Sequence, residues 1–417
     1  MKLRSLMITA ATAVLAAGVA KAEPVKLTVW SDTARIEPFK AFDAAHDNIE
    51  LEIVTVAPPD QTAKLQLAMR SGDDVPDAIF MAELQQIAQL STRRSNYLMD
   101  ISDKIDQSVV DSFLPNALSP CQSGDGRLLC LRNDLAHFIA WYNKPKFDEL
   151  GLSVPTTWEE FEEIGKLAAE NGLIVGSGTQ PTPVLNMLIA GGCEPGFLVE
   201  GSDDTIRVDF TSEGCIAAAA MVDRMRENGS LSPHGPFEPS FVTDVQEGKL
   251  LMFNGPTWFG EHVMRPLYKM DAGILAASES LKWKGQAQPQ AWSWGGGVFG
   301  GYRDTEHPDE VVELIRWMTT DTGLQGRATT MPAHAESSSV WRDRVANDPW
   351  YAQNDVYDKM ETSAQYGHPS YGGYRFDIMA AFSKIDGASN ASIVDKLPDY
   401  AAEIENSAKV AGYKIAN

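Results

Sequence analysis

Hydrophobic and polar positions alternate along Val25–Trp30 and again along Ile49–Val56, the period-two pattern of strands that bury one face. Between them Ile36–Ala45 has helical spacing, a second helical stretch covers Thr62–Ser71, and Pro76–Phe80 reads as a third short strand. This β-α-β-α-β order predicts a parallel sheet with right-handed crossovers and helices packed over it. Further on, Phe138–Tyr142 is an apolar run suited to a buried strand. It ends at Asn143-Lys144-Pro145, because proline has no N–H to give a ladder. After Gly151 a capped helix begins, with Thr157 and Glu160 at capping-box spacing and an apolar stripe of Phe161, Ile164, Leu167 and Ala168.

The middle of the chain repeats the alternation of strands and helices. Ile174-Val175 is followed by helices over Pro183–Ala190 and Ser212–Asn228 and a strand over Lys249–Asn254. Short strands at Ala272–Ala276 and Gly297–Gly301 precede a helix over Pro308–Met318 that carries Val311, Val312, Leu314, Ile315 and Met318 on one face. No internal repeat or low-complexity linker interrupts this order. The fold class is therefore α/β, the middle of the chain can make a second α/β lobe, and the lack of a linker fits two lobes joined by several strands rather than by one tether.

Composition adds compartment. Lys2 and Arg4, an apolar segment from Leu6 to Ala20, and Ala20-Lys21-Ala22 have the form of a secretory signal with its cleavage site, so residues 1–22 are read as a signal peptide. No cysteine follows that site to accept a lipid, and a free periplasmic protein is expected. The formal charge of -22 becomes -25 once Lys2, Arg4 and Lys21 leave, which argues against a nucleic-acid partner. Four cysteines remain for an oxidising compartment, and four allow three pairings. Proximity and the turn-rich stretches they bracket favour Cys121 with Cys130 and Cys193 with Cys215. Their spacing is not that of a metal site, and no cofactor is expected.

The string from Trp141 to Leu167, with Tyr142-Asn143-Lys144, then Gly151-Leu152, then Pro155-Thr156-Thr157-Trp158-Glu159, closely resembles the signature of family 1 extracellular solute-binding proteins. These serve ATP-driven carbohydrate importers, and the group contains maltose-binding protein. Gly72 with Pro76-Asp77, Leu98 with Asp100, and Met331-Pro332-Ala333 resemble further family elements. The resemblance implies a two-lobed periplasmic-binding-protein fold of type II, each lobe a mainly parallel sheet flanked by helices. It implies an N-terminal lobe of residues 23–137 plus 268–328 and a C-terminal lobe of 138–267 plus 329–417, with crossings near 135–139, 265–270 and 329–334. It also implies a monomer that captures a small carbohydrate and hands it to the permease subunits of an ABC transporter.

A sugar site needs aromatic plates for C–H faces and amide or charged groups for hydroxyls. Trp258, after Asn254-Gly255-Pro256-Thr257, resembles the family's stacking tryptophan, although Thr257 is an extra residue in that loop. Trp292 and Trp294 lie at i and i+2 and project from one face, while Gly295 and Gly296 allow backbone to approach a ligand closely. Loops at the carboxyl ends of strands contribute Asp32, Glu83 and Asp134, carried over by position, and Cys130-Leu131-Arg132 stands where the family usually has Gly-x-Pro, so Arg132 is an unusual residue that could face the cleft. Arg375, in Tyr371-Gly372-Gly373-Tyr374-Arg375, has the planar guanidinium suited to anions and to vicinal hydroxyls. It keeps an anionic sugar or a glycerophosphodiester open as the ligand. A secreted glycosidase with two carboxylates is the rival from another class. Neither G-x-S-x-G nor H-E-x-x-H occurs in the chain, and no catalytic residue is assigned.

Overall fold

The structure, a computed structural model, describes residues 23–91, 96–123, 126–178, 181–199, 202, 204–366, 378–386 and 391–416. Its strands are β1 (Val25–Ser31), β2 (Ile49–Thr55), β3 (Ala78–Met81), β4 (Leu131–Arg132), β5 (Asp134–Leu135), β6 (Phe138–Asn143), β7 (Glu194–Leu198), β8 (Thr205–Asp209), β9 (Met252–Pro256), β10 (Leu275–Ser278), β11 (Val298–Gly301), β12 (Met331–Pro332) and β13 (Lys414–Ile415).

The first sheet has the order β2-β1-β3-β11-β4. β1 pairs in parallel with β2, from Val25 opposite Ile49 to Ser31 opposite Thr55, and with β3 on its other side. The β-α-β-α-β pattern is thus realised as a parallel sheet, and β11 enters antiparallel between β3 and β4. The helix Ile36–Ala45 buries Phe39 and Phe42, and Pro308–Thr320 buries the five residues of its apolar stripe. Phe39 meets Phe299 of β11 edge to face, which closes this layer onto the sheet.

The second body is built on β10-β6-β9, with a smaller sheet β13-β8-β7 beside it. Here strand direction departs from expectation, because β6 runs antiparallel to both β9 and β10. The reason is the path of the chain. β6 leaves the crossing at Phe138, and β9 returns to it, with Pro256 opposite Phe138. Strands that leave and re-enter at the same end must oppose one another. β10 also belongs to this sheet, with Ser278 opposite Ala140, so the expected return to the first lobe at 268 does not match the pairing. Around 265–270 the chain stays in the second body, where the Tyr268 hydroxyl donates to Pro236 O at 2.8 Å.

Local chemistry is as the sequence pattern predicts at the helix 158–170. Glu160 N donates to Thr157 Oγ1 at 3.2 Å, and Thr157 N donates to Glu160 Oε2 at 3.1 Å, completing a capping box. Both expected disulfides are present, Cys121–Cys130 and Cys193–Cys215. The second joins the end of helix 181–190 to helix 213–227 and closes the longer loop, with a sequence separation of 22 against 9. Loop-closure entropy then predicts that replacing Cys193 and Cys215 together by Ser destabilises the protein by roughly 3 kcal/mol. Replacing Cys121 and Cys130 should cost less. Equilibrium urea unfolding measures both, and equal or absent effects would contradict the argument.

Candidate functional site

Three stretches of chain meet where the two bodies join. Asp134 and Leu135 pair with Pro332 and Met331, as β5 against β12. On the other side, 136–138 runs against 292–294: Trp294 N donates to Ala136 O and Phe138 N to Trp292 O, each at 3.0 Å. Between β10, in the sheet β10-β6-β9, and β11, in the sheet β2-β1-β3-β11-β4, the chain runs through 292–297. Asn133 N donates to Gly297 O at 2.8 Å, and Ala333 N to Asn133 O at 3.1 Å, so residue 133 touches both other crossings.

Asp134 sits at this junction, 2% exposed. One carboxyl oxygen accepts from Asn133 Nδ2 at 2.8 Å and from Gly297 N at 3.1 Å, and the same oxygen lies 3.9 Å from Arg35. Burying such a group is tolerable only with partners of this kind. Arg35 lies over the Phe80 ring at 4.2 Å and pairs with Asp32 at 3.2 Å. Asp32 also accepts from Arg35 N at 3.1 Å, capping the short turn that follows β1. The structure thus employs Asp32 and Asp134 in holding Arg35 and the crossings together. His262 faces the same group, and burial and Arg35 lower its pKa while Asp32 and Asp134 work in the opposite direction.

Side chains along an extended segment alternate, so the ladder 136–138 against 292–294 has two faces. His137 and Ser293, opposite one another across an antiparallel bridge, line a cavity of about 430 Å3. Leu84 after β3, Arg132, Gln290 and Tyr366 are also on its wall. Trp292 and Trp294 share the other face, as their spacing predicts, and neither lines this cavity. Trp292 is a core residue, its ring parallel to that of Phe138 at 6.4 Å. Trp294 is half-buried against Trp258 at 5.4 Å, Phe259 at 5.6 Å and Phe237 at 5.8 Å. Trp258 donates from Nε1 to Trp294 O at 2.7 Å.

The two glycines have different neighbours. A Cβ on Gly295 would lie 3.7 Å from both Ala82 O and Trp258 Nε1, so this residue sits between the end of β3 and the tryptophan. A Cβ on Gly296 would lie 2.5 Å from Arg132 Nη2, and its φ of +92° is one that other residues rarely adopt. Gly296 therefore makes room for Arg132, which donates from Nε to Asp134 O at 3.0 Å. Glu83 is half-buried immediately before Leu84. Arg375 lies outside the described residues. Arg35, His137, His262, Phe237 and Tyr366 escaped the sequence reading. His137 left a signal, a lone polar residue inside the apolar run Leu135–Tyr142.

His137 is buried, 3% exposed, and reaches the cavity wall. Burial, reinforced by Arg132 and opposed by a hydrogen bond to the Met360 carbonyl, lowers its pKa from 6.5 to about 4.

A two-lobed α/β fold whose lobes meet at several crossings beside a cavity is the architecture of a binding protein that captures solute between its lobes. The chain belongs to the bacterial extracellular solute-binding protein family, whose model matches residues 37–353. An uncharacterized ABC transporter extracellular-binding protein of Pyrococcus horikoshii is 29% identical over 358 residues, 78% of this chain and 74% of that protein. Among solved structures, the galacto-N-biose/lacto-N-biose I-binding protein of Bifidobacterium longum, in complex with lacto-N-biose, superposes with a TM-score of 0.78 at 19% identity, covering 95% of this chain and all of that one. Maltose-bound MalE3 of T. maritima superposes with a TM-score of 0.69 at 18% identity, covering 92% and 99%. Both are likenesses of fold. No helix among the described residues is long and apolar enough to cross a membrane.

A histidine with a depressed folded-state pKa gives a signed pH dependence. The unfolded chain takes up a proton below about 6.5 and the folded chain only below about 4, so stability is present above this window and lost as pH falls through it. The loss attributable to His137 is roughly 3 kcal/mol. Urea unfolding of wild type and His137→Gln at a series of pH values should show a shallower decline in the variant between pH 6.5 and 4. Parallel curves would remove His137 from the acid response.

Proposed function

We propose that this protein is the periplasmic carbohydrate-binding component of an ABC importer, closing around its ligand and delivering it to the membrane permease. The observation that carries the reading is the 430 Å3 cavity beside the crossings, in the size range of small-molecule sites, on a chain of the solute-binding family. Its wall combines amides and hydroxyls from Asn116, Gln288, Gln290, Ser293 and Tyr366 with apolar surface from leucine and proline. That mixture suits a ring with hydroxyls at its edge and C–H groups on its faces. The sugar complexes among the similar structures support the same ligand class.

The lobe boundaries follow the strand pairing in this proposal. The first lobe takes residues 23–134 and 295–330, and the second takes most of the rest, with the return moved from 268 to the crossing at 292–297. Asp32, Asp134 and Gly296 act by shaping the junction. Trp258 and Trp294 with Gly295 form its aromatic rim, and Glu83 directly precedes Leu84 of the cavity wall. Arg132, the charged residue among those lining the cavity, favours an anionic sugar derivative as the second reading. The glycosidase alternative predicts release of reducing ends from oligosaccharides by the purified protein.

A thermal-shift panel of neutral mono- and oligosaccharides, sulfonated sugars and glycerophosphodiesters tests the reading. Ligand at 100 times its Kd adds about 2.7 kcal/mol of stability. A rise in Tm with one chemical class fixes that class, and no rise with any of them overturns the proposal. Trp258 packs on Trp294, away from the cavity wall, so Trp258→Ala should weaken binding at least tenfold for a ligand that extends from the cavity onto this aromatic face, as calorimetry would show. Unchanged affinity in a folded variant would exclude Trp258 from the site. Arg375→Ala should abolish binding of an anionic ligand and leave that of a neutral sugar intact.

A further inference from the structure

His137 is held from one side and open on the other. Its Nε2 lies 2.7 Å from the carbonyl oxygen of Met360, in the helix Val356–Ala364, and a carbonyl can only accept, so Nε2 carries the hydrogen. That bond selects the neutral tautomer in which Nδ1 is a lone-pair acceptor. No hydrogen bond to Nδ1 is made by any described residue, and the side chain forms part of the cavity wall. Nδ1 is thus an acceptor without a donor among the described residues, on a side chain that lines the cavity, and the cavity is where a donor can reach it.

We infer that His137 Nδ1 accepts a hydrogen bond from a hydroxyl of the bound ligand, which makes His137 a specificity-determining residue at the crossing of the two lobes. This rests on the carbohydrate-capture reading and adds a requirement to it. A ligand must bring a hydrogen to this point. A carboxylate, sulfonate or phosphate oxygen brings none, and would set acceptor against acceptor. The low basicity of the ring keeps the acceptor unprotonated at neutral pH. The same ring anchors the helix whose end supplies Ala364, Gln365 and Tyr366 to the cavity, so ligand contact at Nδ1 engages the opposite wall through one side chain.

The test is nitrogen NMR of the protein labelled at histidine, titrated with lacto-N-biose, β-1,6-galactobiose and maltose, alongside calorimetry of wild type and His137→Gln. Glutamine retains an N–H for Met360 but lacks the Nδ1 lone pair. We expect the sugar that binds to move the Nδ1 resonance of His137 upfield while Nε2 stays protonated. His137→Gln should bind that sugar roughly tenfold more weakly. The deoxy analogue lacking the contacted hydroxyl should bind the two proteins equally. An Nδ1 resonance unmoved at saturation, or equal affinity for the parent sugar, overturns the assignment while leaving capture itself intact. Failure of every sugar to bind wild type overturns the capture reading, and this inference with it. Should His137→Gln not fold, the wild-type titration alone decides.

Discussion

The structure depends on the buried carboxyl group of Asp134. It fixes the crossing at 292–297 through Gly297 N, lies within ion-pair distance of Arg35 from the first sheet, and belongs to the strand that pairs with Met331 and Pro332. One residue thereby sets the register of three chain segments. Register matters here because side chains alternate. A slip of the 292–297 segment by one position would put Trp294 in the cavity wall and send Ser293 to the aromatic face. Gly297 lies under the same constraint from the other side, since a Cβ there would fall 2.1 Å from the Phe80 ring. Closing or opening two lobes about such a junction requires local adjustments on either side of it rather than free swivelling, as hinge motions in packed proteins do.

The charge distribution follows a separate logic. The protein carries a formal charge of -22, yet the polar groups of its cavity wall are amides, hydroxyls, an imidazole held neutral and one arginine. Net negative charge serves solubility and says little about recognition. Arg132 gives Nε to Asp134 O and Nη1 to Ala117 O at 3.4 Å, so its fork is already engaged with backbone carbonyls. Recognition in such a place proceeds through directed hydrogen bonds rather than through net charge.

Much of the fold was legible in the sequence because local rules and tertiary structure agree. Alternation in Val25–Trp30 and Ile49–Val56 gave strands that pair in parallel, and Thr157 with Glu160 gave a helix start that the hydrogen bonds realise. The four cysteines paired as proximity suggested. What periodicity does not encode is the partner of a strand. Ala272–Ala276 reads as a strand whichever sheet receives it, and the chain places β10 against β6. The run Trp292-Ser293-Trp294-Gly295-Gly296 reads as a ligand rim from composition. In the fold it is itself a crossing, where Trp292 meets Phe138 and Gly296 accommodates Arg132. Long-range pairs such as Arg35 with Asp134 and His137 with Met360 leave almost no local trace, since each half is an ordinary residue until the chain closes.

Small-angle X-ray scattering of the protein with and without the sugar that stabilises it tests the central claim most directly, because capture between lobes predicts a more compact particle when the ligand is bound. A radius of gyration that falls as the binding isotherm saturates is the expected result. An unchanged radius at full occupancy would contradict closure about the Asp134 junction.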